Sequence, residues 1–245
     1  MTRRIKLNTT SLNTISLNTM ISALFALLVS SQTSADCKIT ATQAPLLELY
    51  TSEGCSSCPP ADAWLSEHMS SAPSASSPIM LAFHVDYWDS LGWPDRFASA
   101  DNSKRQRGVA SQTSAGVYTP GFFLNGAEWR GFFSAKALPV AKFKPSLLNV
   151  SATLVERTLE VSAVAPANIF IAISENSLAS EVKAGENRNR LLKHDSVVRR
   201  WAPLTAKTQL TLPTDLNLAQ AKLVVWQETE GKVTGAAQMS LLSCK

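Results

Sequence analysis

Residues 46–60 contain a short apolar run, two cysteines and two prolines in succession, and this stretch constrains the fold more than any other. The apolar run is too short for a helix and has the length of a buried strand. Pro59 and Pro60 have no N–H to donate and are tolerated only in the first turn of a helix, so a helix is predicted to begin beside Cys58. Cys55 and Cys58 are therefore expected at a helix N-terminus. There the helix dipole favours a thiolate over a thiol.

The first 35 residues differ in pattern from the rest of the chain. Three basic residues precede an apolar segment at 21–29, and small residues at 33–35 follow it. This arrangement is typical of a secretory signal peptide, and the apolar segment is shorter than the ~20 residues that span a bilayer. We therefore expect export to the periplasm or the cell exterior without stable membrane insertion, with the mature chain starting at Asp36.

The charge of the chain excludes one class of partner. The formal net charge is +4, and three of the positive charges, Arg3, Arg4 and Lys6, lie in the predicted signal peptide. A mature protein near neutrality has no electrostatic basis for binding nucleic acid. The sequence sets no oligomeric state.

Four cysteines lie in the predicted mature chain, and two of them stand near its ends. Because an exported protein folds in an oxidising compartment, Cys37 and Cys244 are predicted to form a structural disulfide. Closing so long a loop contributes roughly 5 kcal/mol in the chain-entropy model. Free thiols at both positions are the alternative.

The order of elements predicts the fold class. A strand at 46–50, a helix after Pro59, a strand at 79–85, a helix from 101 or 102 to 114, a hairpin at Asn125-Gly126 and a helix at 134–143 indicate an α/β domain over residues 36–145. In the second helix, Lys104, Arg105 and Arg107 are expected to face water. Short β-like runs separated by Pro, Asn and Gly follow, and they predict an Ig-like β-sandwich region over residues 146–245.

A proline also opens the strand before the hairpin. Proline at the start of a central strand is unfavourable unless the backbone there has special geometry, and a cis bond between Thr119 and Pro120 would supply it.

Taken together, Cys55-Ser56-Ser57-Cys58, Thr119-Pro120 and the Asn-Gly turn resemble the thioredoxin superfamily. The runs 48–62, 84–95 and 118–126, with 185–187 and 194–199, more closely resemble a family of exported bacterial proteins known as domain of unknown function 1223. The resemblance implies a thioredoxin-like fold and a redox-active cysteine pair. Cys55 matches the exposed attacking cysteine, Cys58 the resolving one, and Thr119 and Pro120 the cis-proline segment that faces the disulfide. Gly54 departs from the pattern, since an aromatic residue is common there.

Two functions from different classes follow. The first is an exported thiol–disulfide oxidoreductase that acts on protein thiols or disulfides and needs no cofactor. The second is a copper or zinc chaperone in which Cys55 and Cys58, with His84 as a possible third ligand, bind the metal. A fixed disulfide in an interaction module is a third alternative. The aromatic residues Tyr87, Trp88 and Trp93 either form a rim over the thiols or pack an inserted loop.

Overall fold

The computed structural model describes residues 35–40, 44–69, 77–139, 149–163 and 168–244. Residues 1–34 of the predicted signal peptide and the predicted domain boundary at residues 145 and 146 lie outside the described residues. No helix in these ranges is long and apolar enough to cross a membrane.

Fourteen strands and two α-helices make up the regular structure of the described ranges. In chain order they are β1 (Ala35–Thr40), β2 (Leu46–Thr51), α1 (Pro59–His68), β3 (Ile79–His84), α2 (Ala100–Gln112), β4 (Gly121–Leu124), β5 (Ala127–Glu128), β6 (Asn149–Val155), β7 (Thr158–Ala163), β8 (Ile169–Glu175), β9 (Leu178–Glu181), β10 (Leu191–His194), β11 (Val197–Leu204), β12 (Lys207–Thr211), β13 (Ala221–Thr229) and β14 (Lys232–Ser240).

An eight-stranded mixed sheet forms the centre of the molecule, in the order β14-β13-β8-β11-β3-β2-β4-β5. The pairs β2–β3 and β3–β11 are parallel, and the other neighbours are antiparallel. A four-stranded antiparallel sheet has the order β1-β6-β7-β12, and β9 pairs with β10 in a separate hairpin.

Alternating side chains explain how the large sheet is covered on both faces. In β2, Leu47 and Leu49 pack against Leu65 of α1, whereas Tyr50 points to the opposite face and packs near Val109 of α2. This is the two-residue period of a strand whose two faces are both buried. Farther along the sheet, β8 and β13 pack against the four-stranded sheet through another apolar cluster.

The predicted fold class, a thioredoxin-like α/β domain followed by an Ig-like sandwich, is wrong. Strands dominate the described residues, and β8, β11, β13 and β14 continue the sheet that holds β2 and β3. The two groups of strands are connected by the parallel pairing of Val197 in β11 with Ala82 in β3. The sequence did not indicate β11, because its Arg-Arg pair and its proline are unusual in a central strand.

The helices differ from expectation in two respects. Ser99 caps α2 by accepting a hydrogen bond from the N–H of Asn102, and Lys104 and Arg107 are exposed, but Arg105 is buried. The predicted helix at 134–143 is not formed over the described part, 135–139. A short 3-10 turn, Gly131–Ser134, precedes this stretch, and residues 140–143 lie outside the described ranges.

The predicted disulfide between Cys37 and Cys244 is present and spans 207 residues of sequence. Both sulfurs belong to the apolar cluster between the two larger sheets. The bond therefore ties β1 to the 3-10 turn Leu241–Cys244, which follows β14.

Candidate functional site

The second disulfide joins Cys55 to Cys58 in the connection between β2 and α1. Cys58 is the N-cap residue of α1, and prolines occupy the first two helical positions, as expected from the sequence. The carbonyl of Cys58 accepts hydrogen bonds from the N–H groups of Ala61 and Asp62. The cysteine pair therefore lies at the positive end of a ten-residue helix, where negative charge on sulfur is stabilised.

Both sulfur-bearing residues are buried, so the expectation of an exposed Cys55 is wrong. Cys55 and Cys58 are each 0% exposed, although Ser56 and Ser57 between them are exposed. The cover is provided in part by a distant segment, residues 178–194, which we call the cap hairpin: β9, β10 and the tip between them. The backbone N–H of Ser56 donates to the carboxylate of Glu186 at 3.0 Å, and the Asn187 amide donates to the carbonyl of Cys55 at 2.9 Å.

A hydroxyl group lies against the first sulfur. Ser57 Oγ is 3.3 Å from Cys55 Sγ. Because a disulfide sulfur carries no proton, the serine hydroxyl is the donor in this contact. The same hydroxyl can stabilise a Cys55 thiolate after the disulfide is reduced.

Trp88 connects the cysteine segment to the predicted cis-proline segment. The peptide bond between Thr119 and Pro120 is cis. The indole N–H of Trp88 donates to Thr119 Oγ1 at 2.8 Å, and a Cβ at Gly54 would lie only 3.0 Å from Cβ of Trp88. Trp88 thus lies between the residue before Cys55 and the residue before Pro120. This contact explains why glycine, rather than a larger residue, stands at position 54.

A cluster of buried acids and histidines lies behind the cysteine segment. His84 Nδ1 is 2.6 Å from Asp95 Oδ2, which also accepts the backbone N–H of Glu53. His194, from the cap hairpin, has Nε2 3.3 Å from Glu53 Oε1 and Nδ1 3.8 Å from Asp62 Oδ2. Neither contact of His194 has hydrogen-bond alignment, so its interaction with the two carboxylates is electrostatic. The rings of His84 and His194 meet edge to face at 4.9 Å.

The surroundings shift the pKa of each member of the His84–Asp95 pair. Burial alone would lower the pKa of His84, but the carboxylate of Asp95, together with Asp62 and Glu53, outweighs it and raises that pKa. Burial alone would raise the pKa of Asp95, and His84 outweighs it in turn, so that the pKa of Asp95 is lowered. Both shifts favour an imidazolium–carboxylate pair inside the protein.

The two other carboxyl groups are shifted in opposite directions. Burial raises the pKa of Asp62, with His194 opposing the shift. Burial would also raise the pKa of Glu53, but the contact with His194 and hydrogen bonds from Ser180 and Trp93 together outweigh it and lower that pKa. The indole of Trp93 also donates to Glu53 Oε2 at 2.7 Å. Glu53 therefore holds a negative charge, whereas Asp62 retains its proton to a higher pH than an ordinary aspartate.

The geometry gives no support to the predicted metal alternative. Cys55 and Cys58 are bonded to each other, and His84 Nδ1 is taken by Asp95. Within the described ranges, no group of three or more His, Cys, Asp or Glu side chains is arranged to hold a metal ion.

Sequence reasoning missed four residues of the site: Glu53, Asp62, Glu186 and Asn187. The first two flank the cysteine pair and could have been noticed as polar positions beside an apolar strand and on a helix. The other two lie about 130 residues away in sequence, and only the resemblance of 185–187 to the family pointed to them.

Comparisons with known proteins place the chain in a family. The model of a family described as "Protein of unknown function (DUF1223)" matches residues 46–232. The X-ray crystal structure of protein AGR_C_4864 from Agrobacterium tumefaciens is similar at 26% identity, with a TM-score of 0.52, over 81% of this chain and 96% of that one. HBP35 of Porphyromonas gingivalis matches at 11% identity and a TM-score of 0.42, over 82% of this chain and 76% of that one. No match was found among the curated proteins. Because the family model spans most of the chain, including the cysteine pair, Trp88, Thr119-Pro120 and the cap hairpin, this protein belongs to the DUF1223 family.

Proposed function

We propose that the protein is a thiol–disulfide oxidoreductase that exchanges the Cys55–Cys58 disulfide with thiols or disulfides of other proteins. The observation that carries the proposal is the position of this disulfide at the start of α1, with the Ser57 hydroxyl directed at Cys55 Sγ. Both features stabilise negative charge on sulfur, which is what a cysteine needs in order to attack or to leave. The chemistry is that of the thioredoxin superfamily, proposed here for a chain with a different arrangement of sheets.

The exchange proceeds in two balanced steps. A substrate thiolate attacks Cys55 Sγ, the bond between Cys55 and Cys58 breaks, and the electron pair leaves on Cys58 Sγ, which takes up a proton. A second substrate thiolate then attacks the substrate sulfur of the mixed disulfide and releases Cys55 as a thiolate. The substrate dithiol is oxidised to a disulfide and the protein pair is reduced. In the reverse direction, Cys55 attacks a substrate disulfide and Cys58 resolves the mixed species.

Thr119, Pro120 and Trp88 form the adjoining wall of the proposed site. Thr119 is half-buried and accepts a hydrogen bond from Trp88, which lies against Gly54 of the cysteine segment. An extended substrate that presents its disulfide to Cys55 would pass this segment, so these residues are proposed to position the substrate chain.

We propose further that the protein works after export to the periplasm or the cell exterior. The support is the charged, apolar and small-residue pattern of residues 1–35, together with two disulfides that an oxidising compartment would maintain. Sequencing the N-terminus of the protein recovered from the cell envelope tests this, and a start at or near Asp36 is expected.

The catalytic proposal is tested with the reduction of insulin by dithiothreitol. The wild-type protein should accelerate the reaction, and Cys55→Ser should abolish the acceleration while circular dichroism shows an unchanged fold. Glu67→Gln is the matched control, because Glu67 is exposed on the same helix and has no role in the sulfur chemistry. Equal activity in wild type and Cys55→Ser would refute the proposal.

A further inference from the structure

The cap hairpin is a separate element that depends on its neighbours for stability. Among the described strands, β9 and β10 pair only with each other. A two-stranded hairpin is marginally stable by itself in water. Its strands are anchored by the buried side chain of Leu192 and by Arg96, which donates to Ser180 Oγ and to the carbonyl of Ala179.

The tip of the cap hairpin is held differently, through polar contacts to the cysteine segment. Glu186 accepts the N–H of Ser56, and Asn187 donates to the carbonyls of both Glu53 and Cys55, each at 2.9 Å. Asn187 is 0% exposed, whereas Glu186 is exposed. We call Glu186 and Asn187 the latch.

Movement of the tip would displace the buried side chain of Val182 and would otherwise break polar contacts. A cleft of about 400 Å³ lies beside the contact between β10 and α1, and it is lined by Pro59, Asp62 and Glu67 on the helix and by Arg190, Leu191 and Lys193 on the hairpin side. Gly185 has a positive φ of 70°, and a Cβ there would lie 3.2 Å from Cβ of Trp93. Glycine at this position therefore permits both the turn of the tip and its close contact with the loop that carries Trp93.

The groups that the latch contacts are those that an extended polypeptide would use. One backbone N–H, of Ser56, needs an acceptor, and two backbone carbonyls, of Glu53 and Cys55, need donors. A strand of substrate on the Asn187 side of the segment can donate N–H groups to the two carbonyls. The amide of Asn187 supplies the same donor function from within the chain, while Glu186 holds the N–H of Ser56, which points away from the Cys55 carbonyl of the same trans peptide.

We propose that the tip of the cap hairpin is an autoinhibitory lid, and that its latch occupies the place where an extended polypeptide substrate binds beside Cys55. This inference rests on the proposed exchange activity. In the closed state Cys55 is buried and unreactive. Substrate binding displaces the latch, takes over the hydrogen bonds of Asn187 to the two carbonyls and exposes Cys55 Sγ to the incoming sulfur.

The experiment measures how fast reduced glutathione reduces the Cys55–Cys58 disulfide in folded protein, with alkylation as the quench and peptide mass spectrometry as the readout. Glu186→Ala should react about fivefold faster than wild type, and Asn187→Ala about tenfold faster, because each removes latch hydrogen bonds. Lys183→Ala is the matched control: it lies on the same hairpin, pairs only with the exposed Glu181 in the described structure, and should leave the rate unchanged. Both latch variants should also lower the KM for insulin, since they vacate the proposed docking position.

Latch variants that react at the wild-type rate, while wild type itself reacts, would overturn the lid and leave the exchange activity standing. Faster reaction with glutathione but an unchanged KM for insulin would overturn the substrate mimicry. A disulfide that stays inert to both reagents in every folded variant would instead refute the exchange activity itself. Because Glu186 is exposed, Glu186→Ala should fold even if Asn187→Ala does not, so the comparison can always be made.

Discussion

The imidazole of His194 lies 3.3 Å from the carboxylate of Glu53, two residues before Cys55. Because His194 ends β10, this contact joins the base of the cap hairpin to the segment that it covers. Behind it lies the His84–Asp95 pair, which holds the same segment through the N–H of Glu53. Charge inside the protein is therefore used to fix the backbone that leads into Cys55.

The His84–Asp95 pair predicts how stability depends on pH. Because the pKa of His84 is raised in the folded protein, His84 contributes to the free energy of unfolding. This contribution is complete below about pH 6.5, the pKa of histidine in the unfolded chain, and is lost as the pH rises through the folded pKa. Because the pKa of Asp95 is lowered in the folded protein, Asp95 contributes to the free energy of unfolding above about pH 4. This contribution is lost as the pH falls through the folded pKa of Asp95. In urea unfolding, the His84–Asp95 pair should therefore contribute most to the free energy of unfolding between about pH 4 and 6.5.

The matched variants for this prediction are His84→Gln and His68→Gln. Glu53, Asp62 and His194 also face the pair, and the shifted pKa values of Glu53 and Asp62 contribute to the overall profile. His84→Gln should reduce the fall in unfolding free energy above pH 6.5, while the exposed His68 should be replaceable without effect on the profile. Identical profiles for wild type and His84→Gln would show that the buried pair does not form.

Asp62 is predicted to supply the proton that Cys58 needs when it leaves. Cys58 and Asp62 are four residues apart, which on a helix places their Cβ atoms about 5–6 Å from each other on one face. Cys58 is fully buried, and burial raises the pKa of Asp62 so that this carboxyl keeps its proton longer than an exposed one. Asp62→Asn should slow disulfide exchange by about 100-fold, the lower range for general acid catalysis, and should remove the decline in rate as the pH rises through the Asp62 pKa.

The exposed acid of the same helix provides the control. Glu67→Gln should retain the wild-type rate and pH profile. An unchanged pH profile in Asp62→Asn would show that the proton reaches Cys58 from elsewhere.

Arg105 is predicted to be essential for stability. Its guanidinium binds Glu48 of β2 at 2.5 Å and Glu228 of β13 at 2.7 Å, and it lies 4.8 Å from the ring centre of Trp226. It therefore links α2 to both halves of the large sheet. Arg105→Met should lower the free energy of unfolding by about 3–5 kcal/mol, because Glu48 would be left as an uncompensated buried charge. Lys104→Met, an exposed neighbour, should change it by less than about 0.5 kcal/mol in urea unfolding; equal effects of the two substitutions would contradict the account.

Local chain constraints account for what the sequence predicted. Pro59 and Pro60 have no N–H, and that requirement alone placed the helix start beside Cys58. The Asn-Gly turn placed the β4–β5 hairpin, and the short β-like runs placed several strands of the second half. Each of these depends on residues within a few positions of one another.

Contacts between distant residues account for what the sequence did not predict. Arg105 stands among cations and so was expected in water, but its burial is decided by Glu48 and Glu228, 57 and 123 residues away. The hydrogen bonds to the N–H of Ser56 and the carbonyl of Cys55 likewise come from distant residues, Glu186 and Asn187. The pairing of β11 with β3, which merged the two predicted domains into one sheet, leaves no periodic signal in either segment.

The most direct test of the account is the equilibrium of the Cys55–Cys58 pair with glutathione in the folded protein, read by alkylation and peptide mass so that the Cys37–Cys244 disulfide is counted separately. An exchange-active pair should be reduced reversibly, with a midpoint between about −270 and −120 mV, the range of known thiol–disulfide oxidoreductases. A pair that stays oxidised to below about −300 mV, as structural disulfides do, would contradict the account and identify Cys55–Cys58 as a fixed bridge.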